Sequence, residues 1–302
     1  MRKAILLYNP KAGNRKILTQ LDYITQRIQR LRYTLTMYRS EAKGAIETYI
    51  VNEIAQGDYD LIIISGGDGT INECINGMMK KKVYTPLAIF PLGTANDFAN
   101  TALIPNTIEE AMDIIEDGEL RFIDVGLVNN KYFINVCNMG VFSGVSHEID
   151  LTLKKNFGKL AYYIKGVEEL QNYETMDLEI EYDNKKISNK YVLVLIFNGK
   201  GAGGFSKMAK DASIEDGYFD FVGIKEVDFF NIPKLFLKIL QGEHLVDENI
   251  DYIKLQKAKI ICKNMEGDFV TDVDGELGPD FPLNINVIKD QVRLYLPKKS
   301  KL

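Results

Sequence analysis

Four consecutive aliphatic residues, Leu61-Ile62-Ile63-Ile64, run straight into Ser65-Gly66-Gly67-Asp68-Gly69-Thr70, and this junction constrains the fold more than any other stretch of the chain. A short continuous apolar run bounded by glycines reads as a strand buried on both faces. Glycines let the chain turn sharply where it ends and aim successive backbone N–H groups at one anion, and a helix starting near Ile71 adds its positive N-terminal end. The same grammar recurs twice. Asn9-Pro10-Lys11-Ala12-Gly13 follows the apolar residues 4–8, and Pro91-Leu92-Gly93-Thr94-Ala95-Asn96-Asp97 follows residues 87–90. Ligands of open parallel sheets bind outside the carboxyl ends of the strands, so three such loops are expected to converge on one phosphate-bearing ligand. The competing reading is three tight turns whose glycines answer only to backbone geometry.

Between these loops the chain keeps a βαβ rhythm. Ile17, Leu18, Leu21, Ile24, Ile28 and Leu31 share one helical face, and residues 33–39 alternate as a strand. Residues 42–55 read as a helix, 59–65 as a strand, 71–79 as a helix and 87–90 as a strand, which together predict a doubly wound parallel sheet. From Asp124 the texture changes to strand-like runs at 131–138, 178–182, 187–197, 218–223, 253–262 and 283–288, with Asp183-Asn184 as a hairpin turn. A second, mainly antiparallel β domain is therefore expected. The division is an α/β domain over residues 1–125, completed by the C-terminal strand 289–302 if that strand returns to it, and a β-sandwich-like domain over 126–288. Helices are expected at 160–170 and 227–240. The second is rich in Phe, Leu and Ile, and reads either as a membrane-touching face or as a helix packed on the β domain.

Composition removes several function classes. Three scattered cysteines in 302 residues, Cys74, Cys137 and Cys262, give neither a disulfide framework nor a thiolate metal site, which suits a reducing cytoplasm. Two histidines, His147 and His244, are too few for a His-based metal cluster or a Ser-His-Asp relay, so acid and base chemistry falls to carboxylates. A net charge of −5 argues against nucleic acid as a partner. No run approaches the roughly 20 apolar residues that span a bilayer, which leaves peripheral contact as the expected mode.

With these loops in view, the chain resembles the diacylglycerol kinase catalytic superfamily, most closely the soluble bacterial diacylglycerol and YegS-like lipid kinases. The stations of the resemblance are residues 9–13, 66–73, 91–98, 198–205, 211–220 and 273–276, in order along nearly the whole chain. The resemblance implies a nucleotide-binding α/β domain, a β-sandwich-like domain, an active site in the cleft between them, and transfer of the ATP γ-phosphoryl group to a lipid hydroxyl, most readily diacylglycerol. It assigns nucleotide contacts to Asn9, Pro10, Lys11, Ala12, Gly13, Gly66, Gly67, Asp68, Gly69, Thr70, Ile71, Asn72, Glu73 and Thr94. Ser40 is added on a shorter match, beside the equal alternative that it caps the helix from Ala42. Glu276, in Asp274-Gly275-Glu276, is implied as the general base, with Asp68 as the alternative or as a magnesium- or water-linked group. Asp216 with main-chain oxygens at Ser213 and Tyr218 is implied to hold a structural Mg2+, beside the reading of an acidic surface turn. A cytoplasmic enzyme that visits the membrane for its lipid, and a homodimer, follow the family habit.

Two other functions compete with this one: NAD kinase-like phosphorylation of a soluble alcohol, and a non-enzymatic lipid-binding regulator. The Asp-Gly-Glu and Gly-Gly-Phe stations look like the lipid kinases, and intact Glu276 and Asp68 speak against a vestigial site. Gly199-Lys200-Gly201-Ala202-Gly203-Gly204 also fits a dinucleotide fingerprint. Residues 206–216 lack the apolar helical face needed to receive a pyrophosphate, and a flexible loop is the better account.

Overall fold

The computed structural model describes residues 1–140, 175–201, 208–227, 232–264 and 269–299. The expected helix at 160–170 lies outside them. The chain divides into two compact units, Met1–Val125 with Ile288–Leu302, and Gly126–Val287.

In the first unit the elements are β1 (Arg2–Tyr8), α1 (Lys16–Arg30), β2 (Tyr33–Arg39), α2 (Ala45–Glu53), β3 (Leu61–Gly66), α3 (Asp68–Lys81), β4 (Leu87–Pro91), α4 (Asp97–Thr101), α5 (Ile108–Asp117) and the start of β5 (Glu119–Val128). β1 pairs in parallel with β2 and β3, and β3 with β4, giving the order β2-β1-β3-β4. The three inner strands are apolar along their length because both faces are covered. Ala4, Leu6, Leu61, Ile63, Ala88 and Phe90 pack in one cluster with Ile17, Ile24 and Ile28 of α1 and Ile108, Met112 and Ile115 of α5. The alternate residues Ile5, Leu7, Ile62 and Ile64 are also fully buried, on the opposite face. At the sheet's edge, β2 alternates and is mostly exposed.

The second unit is built from the end of β5, β6 (Lys131–Phe133), β7 (Val136–Gly140), β8 (Met176–Tyr182), β9 (Lys185–Phe197), β10 (Phe219–Lys225), α6 (Ile232–Gln241), β11 (Ile250–Leu255), β12 (Lys257–Cys262), β13 (Thr271–Val273), β14 (Glu276–Leu277) and the start of β15 (Leu283–Leu296). Its pairings are antiparallel: β9 holds β7, β8 and β10, and β12 holds β8 and β15. The central strands carry two apolar faces. Cys137, Met139, Val194, Ile196, Phe219 and Phe221 enter one core, while Val136, Leu193, Phe197, Val222 and Ile224 enter another. Asp183 and Asn184, at φ 43° and 66°, form the two-residue turn expected of them between Tyr182 and Lys185.

Several boundaries differ from the sequence expectation. Residues 253–262 are two strands: Phe219–Ile224 pair with β11, whereas β12 pairs with β8 and β15. The break falls at Gln256, whose N–H donates to the Asp183 carboxylate at 3.1 Å. Conversely, 283–288 and 291–296 are one strand, interrupted only by a kink at Asp290, φ 56°, whose N–H donates to buried Asp124 at 3.1 Å. The helix expected from Ala42 starts at Ala45 behind Gly44, so Ser40 is not its cap. Of the helix expected at 227–240, residues 228–231 lie outside the described residues; Ile232–Gln241 are helical, and Leu235 and Ile239 pack on the second unit's core.

Candidate functional site

At the carboxyl end of the parallel sheet the three loops are tied to one another through backbone. Asn9 N–H donates to Ser65 O at 3.0 Å, Leu92 N–H to Gly66 O at 2.8 Å, and Ser40 N–H to Tyr8 O at 2.9 Å. A Cβ on Gly67 would lie 3.0 Å from Gly93 Cα and one on Gly93 only 2.5 Å from Gly67 Cα, so the approach is closer than a side chain at Gly93 allows. The helix after Gly67 opens at Asp68, three residues earlier than the pattern of apolar residues indicates. Thr70 N–H and Ile71 N–H both turn back onto Gly67 O, at 2.9 and 3.0 Å. The amides of Asp68 and Gly69 are thus the first of the helix, where no intrahelical acceptor exists and the dipole is positive. Beneath them Ser65 Oγ is fully buried with no hydrogen-bond partner among the described residues. An anionic group fits this end of the sheet.

Each predicted nucleotide residue has a definite place. Asn9 Oδ1 accepts Lys11 N–H at 2.9 Å and Asn9 O accepts Ala12 N–H at 3.2 Å, folding Pro10, Lys11, Ala12 and Gly13 into a compact turn. Lys11, Gly13, Gly69 and Thr94 are exposed, whereas Pro10, Gly66, Thr70, Ile71 and Asn72 are buried. Ile71 belongs to the core and offers a ligand only its main chain. Asn72 Oδ1 accepts from Asn76 Nδ2 at 3.0 Å. Glu73 serves another element: its carboxylate accepts Gly44 N–H at 2.8 Å and Ile46 N–H at 3.3 Å, seating a negative charge on the N-terminus of α2. Asp68 Oδ1 accepts Phe98 N–H at 3.1 Å and so ties the β3 loop to α4.

In the second unit, Glu276 opens β14 directly after a two-residue turn. Val273 pairs with Glu276 across Asp274, φ 53°, and Gly275, φ 85°. Both central residues are left-handed, the signature of a type I′ hairpin, and Gly275 takes that conformation without strain. Lys131 Nζ donates to Leu277 O at 2.8 Å and lies 3.5 Å from Glu276 Oε2. The Glu276 side chain keeps 31% of its surface exposed, so solvent or a substrate hydroxyl can reach it.

The loop before β10 holds the predicted cation residues. Asp216 Oδ1 accepts Tyr218 N–H and its Oδ2 pairs with Lys254 Nζ, each at 3.0 Å. Ser213 Oγ accepts Glu215 N–H at 3.2 Å. One carboxylate with main-chain oxygens is a donor set of the hardness magnesium prefers, but a cation must displace Lys254 to use Oδ2. Among the described residues no three or more His, Cys, Asp or Glu side chains are grouped to hold a metal. Close by, buried Asp220 has one carboxylate oxygen hydrogen-bonded by Tyr252 and the other without a hydrogen-bond partner among the described residues. Burial pushes its acid up from the ordinary aspartate range, against the opposing pull of Tyr252 and Lys254.

Sequence reasoning passed over three supports of these loops. Asn96, at φ 52°, holds Gly93 N–H on its Oδ1 at 2.7 Å. Lys254 neutralises Asp216, and Asp274 collects backbone amides from residues 134–136. Asn and Asp at turn positions were a legible hint for two of them. Nothing local marks a lysine as the partner of an aspartate 38 residues away. Residues 202–205 of the 198–205 station, with its Gly-Gly-Phe, lie outside the described residues; Asn198 at its start is buried, donating through Nδ2 to Ile134 O at 3.1 Å.

Similarity to known proteins covers both units. Residues 3–128 match the family described as the diacylglycerol kinase catalytic domain, and residues 135–296 match the YegS C-terminal NAD kinase beta sandwich-like domain. The chain is 33% identical over 301 residues to the diacylglycerol kinase of Bacillus subtilis (strain 168), covering 99% of this chain and 98% of that one. It is 34% identical over 299 residues to the diacylglycerol kinase of Staphylococcus haemolyticus, covering 99% and 89%. A crystal structure of a diacylglycerol kinase from Bacillus anthracis str. Sterne superposes with a TM-score of 0.78 at 28% identity, over 98% of this chain and 97% of that one. By its own description the second domain shares its sandwich with NAD kinases, so the fold of that domain does not separate the two kinase classes; the match over residues 3–128 and the full-length relatives do. The two domain matches, the β-sandwich-like second domain and full-length similarity to diacylglycerol kinases together establish that this chain belongs to the diacylglycerol kinase family.

Proposed function

We propose that the protein transfers the γ-phosphoryl group of ATP to the free hydroxyl of diacylglycerol, giving phosphatidic acid and ADP. In this reading the hydroxyl oxygen forms the new P–O bond, the bond from γ-phosphorus to the β–γ bridging oxygen breaks, and the hydroxyl proton passes to a carboxylate. Phosphoryl transfer is chiefly a matter of positioning and charge stabilisation. The observation that carries the proposal is the backbone-welded cluster of loops at the ends of β1, β3 and β4, with the amides of Asp68 and Gly69 opening α3.

Glu276 is the proposed proton acceptor, held on a rigid hairpin and partly exposed. Asp68, tied to α4 through Phe98 N–H, is read as a group that organises the phosphate loops. Magnesium would supply charge neutralisation on the phosphates. A second ion at Asp216, with main-chain oxygens at Ser213 and Tyr218, would brace that loop after Lys254 swings away. Among the described residues no helix is long and apolar enough to cross a membrane. We read the enzyme as cytoplasmic, meeting its lipid at the membrane surface, and as a homodimer, which sedimentation would test.

Incubation with labelled ATP, magnesium and a panel of diacylglycerol, phosphatidylglycerol, sphingosine, ceramide and NAD tests the substrate. Label in phosphatidic acid is expected; label in NADP alone would move the protein to the other kinase class. Glu276→Gln should lower turnover by about 10²- to 10⁴-fold, the range of general base catalysis, with ATP affinity unchanged. Lost ATP affinity with normal turnover would transfer the base to another residue.

A further inference from the structure

Residues 134 and 135 form an irregular link between β6 and β7, and its backbone polar groups are gathered by side chains from far along the chain. The Asp274 carboxylate accepts three successive amides: Ile134 N–H on Oδ2 at 2.7 Å, and Asn135 N–H and Val136 N–H on Oδ1, both at 2.9 Å. On the carbonyl side, Asn198 donates through Nδ2 to Ile134 O at 3.1 Å and through its main chain to Asn135 O at 2.8 Å. Asp274 N–H in turn donates to Val136 O at 3.0 Å. A neighbouring acid completes the turn, since Asp272 Oδ1 accepts Gly275 N–H at 2.9 Å and Asn138 Nδ2 at 3.1 Å.

This is more than a hairpin needs. A two-residue turn with Asp-Gly at its centre forms on backbone preference alone, leaving the aspartate side chain to solvent. Here the side chain points inward and takes three charge-assisted hydrogen bonds, each stronger than its neutral counterpart. Glu276 is two residues beyond that anchor, with its register fixed by pairing to Val273. We propose that Asp274 is the positioning residue of the acidic hairpin: by clamping the 134–136 backbone it sets where the Glu276 carboxylate stands, and thereby sets kcat. The proposal rests on Glu276 being the proton acceptor.

Asp274→Asn preserves the side chain's size but keeps only one acceptor oxygen. Its NH2 group must face at least one of the three N–H donors, so the clamp loses a bond and opposes two donors. A misplacement on the order of 1 Å costs up to about 100-fold in rate, so kcat for lipid phosphorylation should fall about 10- to 100-fold, with KM for ATP unchanged. In the Glu276→Gln background the same substitution should add almost nothing, because it acts only through Glu276. Amide hydrogen exchange should accelerate at 134–136 in Asp274→Asn, while the β1, β3 and β4 amides stay protected.

Wild-type kcat in Asp274→Asn beside an inactive Glu276→Gln would overturn the clamp and leave the base assignment standing. Losses that multiply in the double variant would equally overturn it, because they describe a general structural defect. Full turnover in Glu276→Gln would overturn the base assignment and this proposal together. Should Asp274→Asn not accumulate as folded protein, Asp274→Glu replaces it. The charge remains and the longer arm pushes the hairpin outward, so the same selective fall in kcat is expected, and wild-type kcat overturns the proposal.

Discussion

Gly67 and Gly93 meet backbone to backbone: a Cβ on Gly93 would stand 2.5 Å from Gly67 Cα and 2.6 Å from Asn96 Oδ1. The loops that end β3 and β4 are therefore held at a spacing that a side chain at Gly93 would not allow. Because the Asp68 and Gly69 amides follow at once, the shape of the proposed anion site depends on that contact.

Gly93→Ala should force the loops apart and weaken the bond from Gly93 N–H to Asn96. Overpacking of this kind costs about 1–3 kcal/mol, with the strain concentrated at the proposed phosphate loops. KM for ATP is expected to rise at least about tenfold while the rest of the fold persists, as read by nucleotide titration alongside denaturant unfolding. Unchanged ATP affinity would remove the β4 loop from the nucleotide site.

Lys254 competes with any cation for Asp216, since its ammonium already sits on Oδ2. Both side chains are about one-third exposed, so the pair is worth at most about 1 kcal/mol. Lys254→Met should therefore strengthen magnesium binding about two- to fivefold, and Asp216→Asn should abolish binding at this loop. Calorimetric titration of magnesium, without nucleotide, gives the answer. Identical affinities in the wild type and both variants would assign Asp216 to the ion pair alone.

His244 is buried at the start of a short 3-10 turn, with Nε2 2.9 Å from Met208 O. Burial pushes its pKa below the ordinary histidine value, and nearby Lys210 adds to the effect against the opposing pull of the Met208 and Lys238 carbonyls. The unfolded chain thus takes up a proton near pH 6.5 that the folded protein refuses. Stability from this residue is full above that pH and falls as the solution is acidified through it. Unfolding free energies measured from pH 8 to 5 should fall more steeply for the wild type than for His244→Gln. Parallel curves would mean that His244 titrates alike in both states.

The sheet was legible because its cause is local. Runs such as Leu61–Ile64 can be buried on both faces only between helices, and glycines at three strand ends announce turns whatever the rest of the chain does. The antiparallel character of the second unit was legible for a similar reason, since a strand-like run such as 187–197 and an Asp-Asn turn are short-range signals. Boundaries failed where a distant group intervened. Gln256 ends one strand because Asp183 captures its amide, and Asp290 kinks another within reach of Asp124.

The candidate site divides along the same line. Where the glycine-bearing loops and the acids of the candidate site lie could be read along the chain, because glycine, hydroxyl and acid are properties of single positions. What each acid does was decided by partners dozens to more than a hundred residues away. Glu73 serves α2, Asp216 answers Lys254, and Asp274 grips residues 134–136. A carboxylate is chemically the same in every sequence context, and only the donors that folding brings to it distinguish a helix cap, an ion pair and a backbone anchor.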